Sequence, residues 1–129
     1  MRALDVAVRL LAVRPGRITV VWVAHLATMV SLSADAVAIV ESDFDKVAQE
    51  LRAAAAKRLE GHGVRWDFEW RQGLIAHELI SVAEEIHADR PDDVVAIVVG
   101  SSSSARHRMV GSVAVSLAHH SPVPVTIVP

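Results

Sequence analysis

A doubly wound α/β fold, with helices on both faces of a parallel sheet, is predicted by three features of this chain. Helix-like and strand-like patterns alternate from one end to the other. Two strand candidates, Ile18 to Val23 and Val94 to Val99, are almost unbroken apolar runs, as suits strands covered on both faces. In the last third, the second of these runs ends at Gly100, a small polar loop follows, and Gly111-Ser112 opens a helical pattern. Strand, glycine, polar loop and helix aim backbone N–H groups and the positive end of a helix dipole at one spot. A nucleotide phosphate is therefore the first ligand to consider.

The elements follow in order. Ala3 to Val13 reads as a helix: Leu4, Val8 and Leu11 share a face, and Pro15-Gly16 stops it. Ile18 to Val23 is the first strand. Leu26 to Val40 has no clear period and reads as a loop with at most a short helical piece. Ser42 to Glu60 reads as a long helix, with Ser42 and Asp45 as its N-terminal cap and Gly61 just past its end. Val64 to Trp70 alternates, with Val64, Trp66, Phe68 and Trp70 on one face and Arg65, Asp67 and Glu69 on a solvated one. Leu74 to Ala88 is the next helix, with Leu79, Val82, Ala83 and Ile86 inward. Val94 to Val99 is a strand, Arg108 to His120 the last helix and Val123 to Val128 the last strand.

One departure from the pattern stands out. A doubly wound domain opens with a strand, yet only Met1 and Arg2 precede the first helix. The first strand is missing, and an incomplete or mis-started sequence is expected rather than a natural four-strand domain. Without that strand its neighbours close up, something else fills the slot, or the core is compromised.

The totals narrow the function classes. With 129 residues the chain is sized for one domain spanning 1–129. Basic and acidic residues nearly balance, 13 against 15, and no basic patch stands out, which argues against nucleic acid as a partner. Cysteine is absent, so disulfides, thiolate chemistry and zinc–sulfur sites are excluded and a reducing cytoplasm is permitted. No signal peptide is visible. The segment Ile18 to Val40 carries His25, hydroxyls and Asp35, and reads as a buried strand entering a loop rather than a membrane span.

The residues carry a resemblance. Val98-Val99-Gly100, a short loop, Gly111-Ser112-Val113-Ala114, and then His120-Ser121-Pro122-Val123-Pro124-Val125 resemble the C-terminal signature of universal stress protein domains. The order of the remaining elements agrees over the whole chain. The resemblance implies a flavodoxin-like sheet of the adenine nucleotide alpha hydrolase type, with five strands in the order 3-2-1-4-5, and a dimer. It also implies ATP bound through Gly, two residues, Gly, nine residues, then Gly followed by Ser or Thr. Carried over, the first Gly is Gly100, after Val99, and the closing pair is Gly111-Ser112, with Val113 next. Ser103 stands at the second Gly, and only seven residues, Ser104 to Val110, separate it from Gly111. The strand-end residue resembling the family's adenine neighbour is Val23. The Asp that ends the family's opening strand has no counterpart.

In such a site Ser101 to Ser104 supply hydroxyls and amides, and Arg106 or Arg108 pairs with phosphate. The competing reading is a solvated loop with surface arginines. Other chemistry is weaker. His119 and His120 are adjacent and face apart, and no His-Glu-x-x-His occurs, so no metal site is expected. Ser112 lacks a nucleophile elbow and reads as a helix cap or phosphate hydroxyl. Trp66, Phe68 and Trp70 read as core beneath a helix rather than a stacking platform, and Glu84-Glu85 and Asp92-Asp93 as solvated charge. Strand 123–128 lies at a sheet edge in this order and offers an antiparallel homodimer contact.

The expected function is a cytoplasmic stress-response or signalling domain that binds ATP or another adenine nucleotide, with little or no catalysis. The alternative is a dimerising regulatory module of the same fold without nucleotide. A slow ATP hydrolase comes last.

Overall fold

The structure is a computed structural model that describes residues 2–25, 33–100 and 111–129. Its elements are α1 (Arg2–Val13), β1 (Arg17–His25), α2 (Ala34–Leu59), β2 (Arg65–Gly73), α3 (Ile75–Asp89), β3 (Ile97–Gly100), α4 (Ser112–His120) and β4 (Val125–Val128). The alternation expected from the sequence is present, and both observed strand pairings are parallel.

The sheet is split. β1 pairs with β2 and β3 pairs with β4, as two separate two-stranded sheets. β1 and β3 therefore have not closed up on each other. The register of the first pair runs from Arg17 opposite Arg65 to His25 opposite Gly73. The second pair runs from Ile97 opposite Val125 to Gly100 opposite Val128.

Helices cover both faces of the first half-sheet. Phe44 of α2 sets its ring edge-on to Trp22 of β1 at 5.9 Å, and Trp70 of β2 lies 5.9 Å from Trp22. Trp70 is thus half-buried and packs beneath α2 against Phe44. α3 lies on the opposite, polar face, where Arg71 bonds Glu85 of the helix. The second half-sheet rests on a core of Ala83 from α3, Ile97 from β3 and Leu117 from α4. α3 belongs to both halves and ties them together.

Local chemistry fixes several boundaries differently from the sequence reading. α2 starts at Ala34 rather than Ser42, because the Ser33 hydroxyl accepts the Ala36 N–H at 3.3 Å and Asp35 complements the dipole. Ser42 and Asp45 then lie exposed within the helix and cap nothing. The far end agrees with expectation: after Leu59 and Glu60 the chain reverses at Gly61, whose φ of 83° suits a residue without Cβ.

β3 begins at Ile97, not Val94. Its first ladder bond is Ile97 N–H to Pro124 O at 2.9 Å, and β4 offers no partner to residues before it. Val94 is left 75% exposed. β4 likewise begins at Val125, after Pro124. α4 begins at Ser112 with Gly111 as N-cap, so Ser112 is the first helical residue and not the cap; residues 108–110 lie outside the described ones.

The polar face of β2 is not simply solvated. Thr19 Oγ1 donates to Asp67 at 2.9 Å, and Arg17 approaches the same carboxylate at 3.5 Å. Further along, Arg71 donates to Glu69 at 2.6 and 3.0 Å and to Glu85, with Glu78 at 3.9 Å.

Candidate functional site

The carboxyl end of β3 and the start of α4 share one foundation. Val99 and Val113 both pack on the Ala83, Ile97 and Leu117 cluster. Leu117 has no exposed surface at all. Packing on one buried cluster fixes the strand end and the helix start relative to each other.

Gly100 is exposed, and a Cβ built on it meets nothing within 4 Å among the described residues. Gly111 caps α4 with φ −63° and ψ 158°, ordinary extended backbone, and no side chain caps the helix. The first N–H groups of a helix have no intrahelical acceptor, and among the described residues no side chain caps those of α4. α1, α2 and α3 carry Asp5, Asp35 and Glu78 in their first turns, whereas α4 carries no acid there. An anion at the start of α4 thus meets helix-dipole attraction and no adjacent carboxylate.

Val99 and Val113 pack on one cluster, with Gly100 next to Val99 and Gly111 and Ser112 next to Val113 in the chain. Ser112 is exposed and Val113 half-buried. Val23 is buried at 8% exposure near the carboxyl end of β1, in the other half-sheet and outside the Ile97–Leu117 cluster. Ser101, Ser103 and Arg106, with Arg108, lie outside the described residues.

Arg17 of β1, Arg65 of β2 and residues 94–96 before β3 line one cleft, so the amino ends of these strands share it. In open α/β sheets ligands bind outside the carboxyl ends of the strands, which here are the ends that carry Val23 and Gly100.

A model of the universal stress protein family matches residues 1–129. The chain belongs to the universal stress protein family. Solved structures agree on the fold. The hypothetical protein MJ0577, whose biochemical function was assigned from its structure, is 19% identical with a TM-score of 0.80. That match covers 98% of this chain and 84% of the other. The universal stress protein UspA from Lactobacillus plantarum is 19% identical, with a TM-score of 0.76 over 99% of this chain and 88% of its own. A universal stress protein family member from Burkholderia pseudomallei is 21% identical, with a TM-score of 0.67 over 99% and 85%. No curated protein sequence matches the chain. At these identities the structures speak to fold alone, which is the flavodoxin-like α/β class the sequence predicts.

Two further properties bear on this family member. Among the described residues no helix is long and apolar enough to cross a membrane. Among them, too, no three His, Asp or Glu side chains converge as metal ligands would. His119 and His120 are 6.3 Å apart by ring centroid, and His120 Nδ1 lies 3.0 Å from Ser116 O.

Sequence reading missed the Arg71 hub and treated Glu85 as ordinary solvated charge. Its signal was present: Glu78 and Glu85 are seven apart, hence on one helical face, and Glu69 shares a strand face with Arg71. The Arg71 guanidinium holds the Glu85 carboxyl below its ordinary range through a side-chain hydrogen bond. The same bond, followed by that to Glu69, raises Arg71. At the other end of the molecule, Arg58 Nε donates to Asp5 at 2.7 Å, joining α2 to α1 and lowering the Asp5 carboxyl.

Proposed function

We propose that residues 1–129 form one stress-response or signalling domain of the cytoplasm that binds ATP or another adenine nucleotide at the carboxyl end of β3. The observation that carries this reading is the start of α4: without a side-chain cap among the described residues, free of acid in its first turn, and seated on the same buried cluster as the end of β3. Family membership supports it independently.

In this reading the phosphates lie over Gly100, where no described side chain comes close, and accept N–H bonds from the first turn of α4. The Ser112 hydroxyl and Val113 amide face them. Ser101 and Ser103 add hydroxyls and amides, Arg106 pairs with phosphate charge, and Val23 flanks the base. The described part of the site, Val99, Gly100, Gly111, Ser112 and Val113, contains no carboxylate or imidazole to serve as a general base. The proposal is therefore binding, with hydrolysis at most slow.

Calorimetric titration with Mg-ATP tests it. The expected result is measurable heat and a raised Tm; ligand at a hundredfold its Kd stabilises a fold by about 2.7 kcal/mol. Gly111→Val, which crowds the helix start, should abolish both. No heat and no thermal shift at millimolar Mg-ATP would overturn the reading.

A second reading has its own observation. β4 is hydrogen-bonded to β3 alone among the described strands, so its other edge is unpaired there. Two copies joined antiparallel through strand 123–128 would form a symmetric homodimer. In the nucleotide-free alternative this contact, rather than a ligand, is the function.

A further inference from the structure

α3 is held from two opposite sides. At about 100° per residue, Glu78 and Glu85 fall within about 20° of each other around this helix. Ala76, Leu79, Ile80 and Ala83 fall on the opposite side. The acidic side meets β2. Arg71 donates through Nη1 to Glu85 at 3.0 Å, with Glu78 at 3.9 Å, and through Nε and Nη2 to Glu69 at 3.0 and 2.6 Å. The apolar side meets the other half of the molecule. Ala83 belongs to the buried cluster with Ile97 and Leu117, and Ala76, Leu79 and Ile80 pack against it. Val99 and Val113, at the end of β3 and the start of α4, rest on the same cluster.

We propose that Arg71 is a positioning residue for the nucleotide site. By clamping the acidic side of α3 to β2 it sets where the apolar side of that helix stands, and with it the spacing between the end of β3 and the start of α4. The identity of the ligand rests on the nucleotide reading above; the mechanics concern the chain alone.

Each link in this chain of contacts is stiff. An isolated exposed ion pair contributes little, but here one guanidinium, its side chain 22% exposed, engages all three nitrogens with three carboxylates. That fork fixes the helix in direction as well as distance. α3 is regular from Ile75 to Asp89 and packs on β1, β2 and α4, so a shift imposed on one side is carried to the other. Leu117 has no exposed surface, and a close-packed cluster transmits displacement rather than absorbing it. A rigid element clamped on one side and packed on the other is a physical route for coupling between distant groups. α2 supplies the contrast. It lies on the other face of β1–β2, where Phe44 meets Trp22 and also Trp70, the neighbour of Arg71. General loosening of β2 reaches α2, whereas a positioning effect passes through α3 to α4.

The test compares the parent chain with Arg71→Met by amide hydrogen exchange without ligand and by calorimetric titration with Mg-ATP. The probe is Val115, whose N–H donates to Gly111 O at 3.1 Å at the start of α4. Ala48 and Ala55 of α2 are the reference. The expected result is exchange at Val115 about 2- to 30-fold faster relative to α2, with Mg-ATP affinity weaker by a similar factor. Glu85→Ala should reproduce much of the change at Val115. Arg71→Met and Glu85→Ala together should do no more than Arg71→Met alone, since both break one contact. Equal acceleration at Val115 and in α2 would overturn the proposal, because it marks a general loss of stability. So would unchanged exchange at Val115, or additive effects of the two substitutions. If the parent chain binds no Mg-ATP, the nucleotide reading falls, and exchange at Val115 still decides whether Arg71 positions this end of the molecule. If Arg71→Met does not fold, Arg71→Lys, which keeps the charge and loses the fork, is read in the same way.

Discussion

Arg71 shows how much one side chain organises in this molecule. It sits on β2, reaches Glu69 on its own strand and Glu85 and Glu78 on α3, and so fixes how that helix lies on the polar face of β1–β2. The neighbouring turn is equally constrained. Gly73 has a φ of 150°, which side-chain-bearing residues rarely adopt, so glycine is what lets β2 pass directly into α3. The ion pairs carry a pH dependence of definite sign. Glu85 is held below its ordinary value of 4.5 by the bond from Arg71. Its contribution to stability is complete above that value and is lost as pH falls through the lowered pKa. Urea titrations on either side of pH 4.5 should show Glu85→Gln losing stability at neutral pH, with a shallower decline into acid than the parent chain. Identical acid profiles would remove Glu85 from the account. Periodicity made the acidic face of α3 legible, but which strand residue it would meet depends on packing that no local pattern encodes. Ser33 and Ser42 illustrate the same limit, since each precedes an acidic helical stretch and only the backbone decides which one caps.

At the scale of elements, helices were the more legible, because a stripe every three or four residues survives even imperfect packing. α1, α3 and the end of α2 lie where their stripes and stop signals predict. Strand ends were less legible. Val94 to Ala96 are as apolar as Ile97 to Val99, but a strand lasts only as long as its partner, and β4 begins at Val125. The element that positions the candidate site is α4, anchored by Leu117. Leu117→Ala, at a site with no exposed surface, should cost about 2–5 kcal/mol in urea unfolding. Val115→Ala on the same helix, 44% exposed, should cost well under half as much. Equal costs would mean that α4 is not held by the Ala83–Ile97–Leu117 cluster. The glycines flanking the site were readable as positions, Gly100 at a strand end and Gly111 at a helix start. Their shared foundation was not, because Val99 and Val113 meet only through tertiary packing.

The whole molecule is a universal stress protein fold drawn as two half-sheets held by α3. Its class followed from alternation and apolar runs. What the sequence left open was whether β1 and β3 pair; they lie in separate half-sheets, both packed on α3. Assembly is a property of this scale as well. If copies pair through strand 123–128, Val125→Pro should convert dimers to monomers in sedimentation velocity while helical circular dichroism persists. A dimer that survives the substitution would move the contact elsewhere.

The central claim is that the end of β3 and the start of α4 hold an adenine nucleotide. Its most direct measurement is mass spectrometry of the small molecules released when freshly purified protein is denatured. The account predicts an adenine nucleotide in near-equimolar amount from the parent chain and none from Gly111→Val. Release of no nucleotide from the parent, or equal release from both, would contradict it.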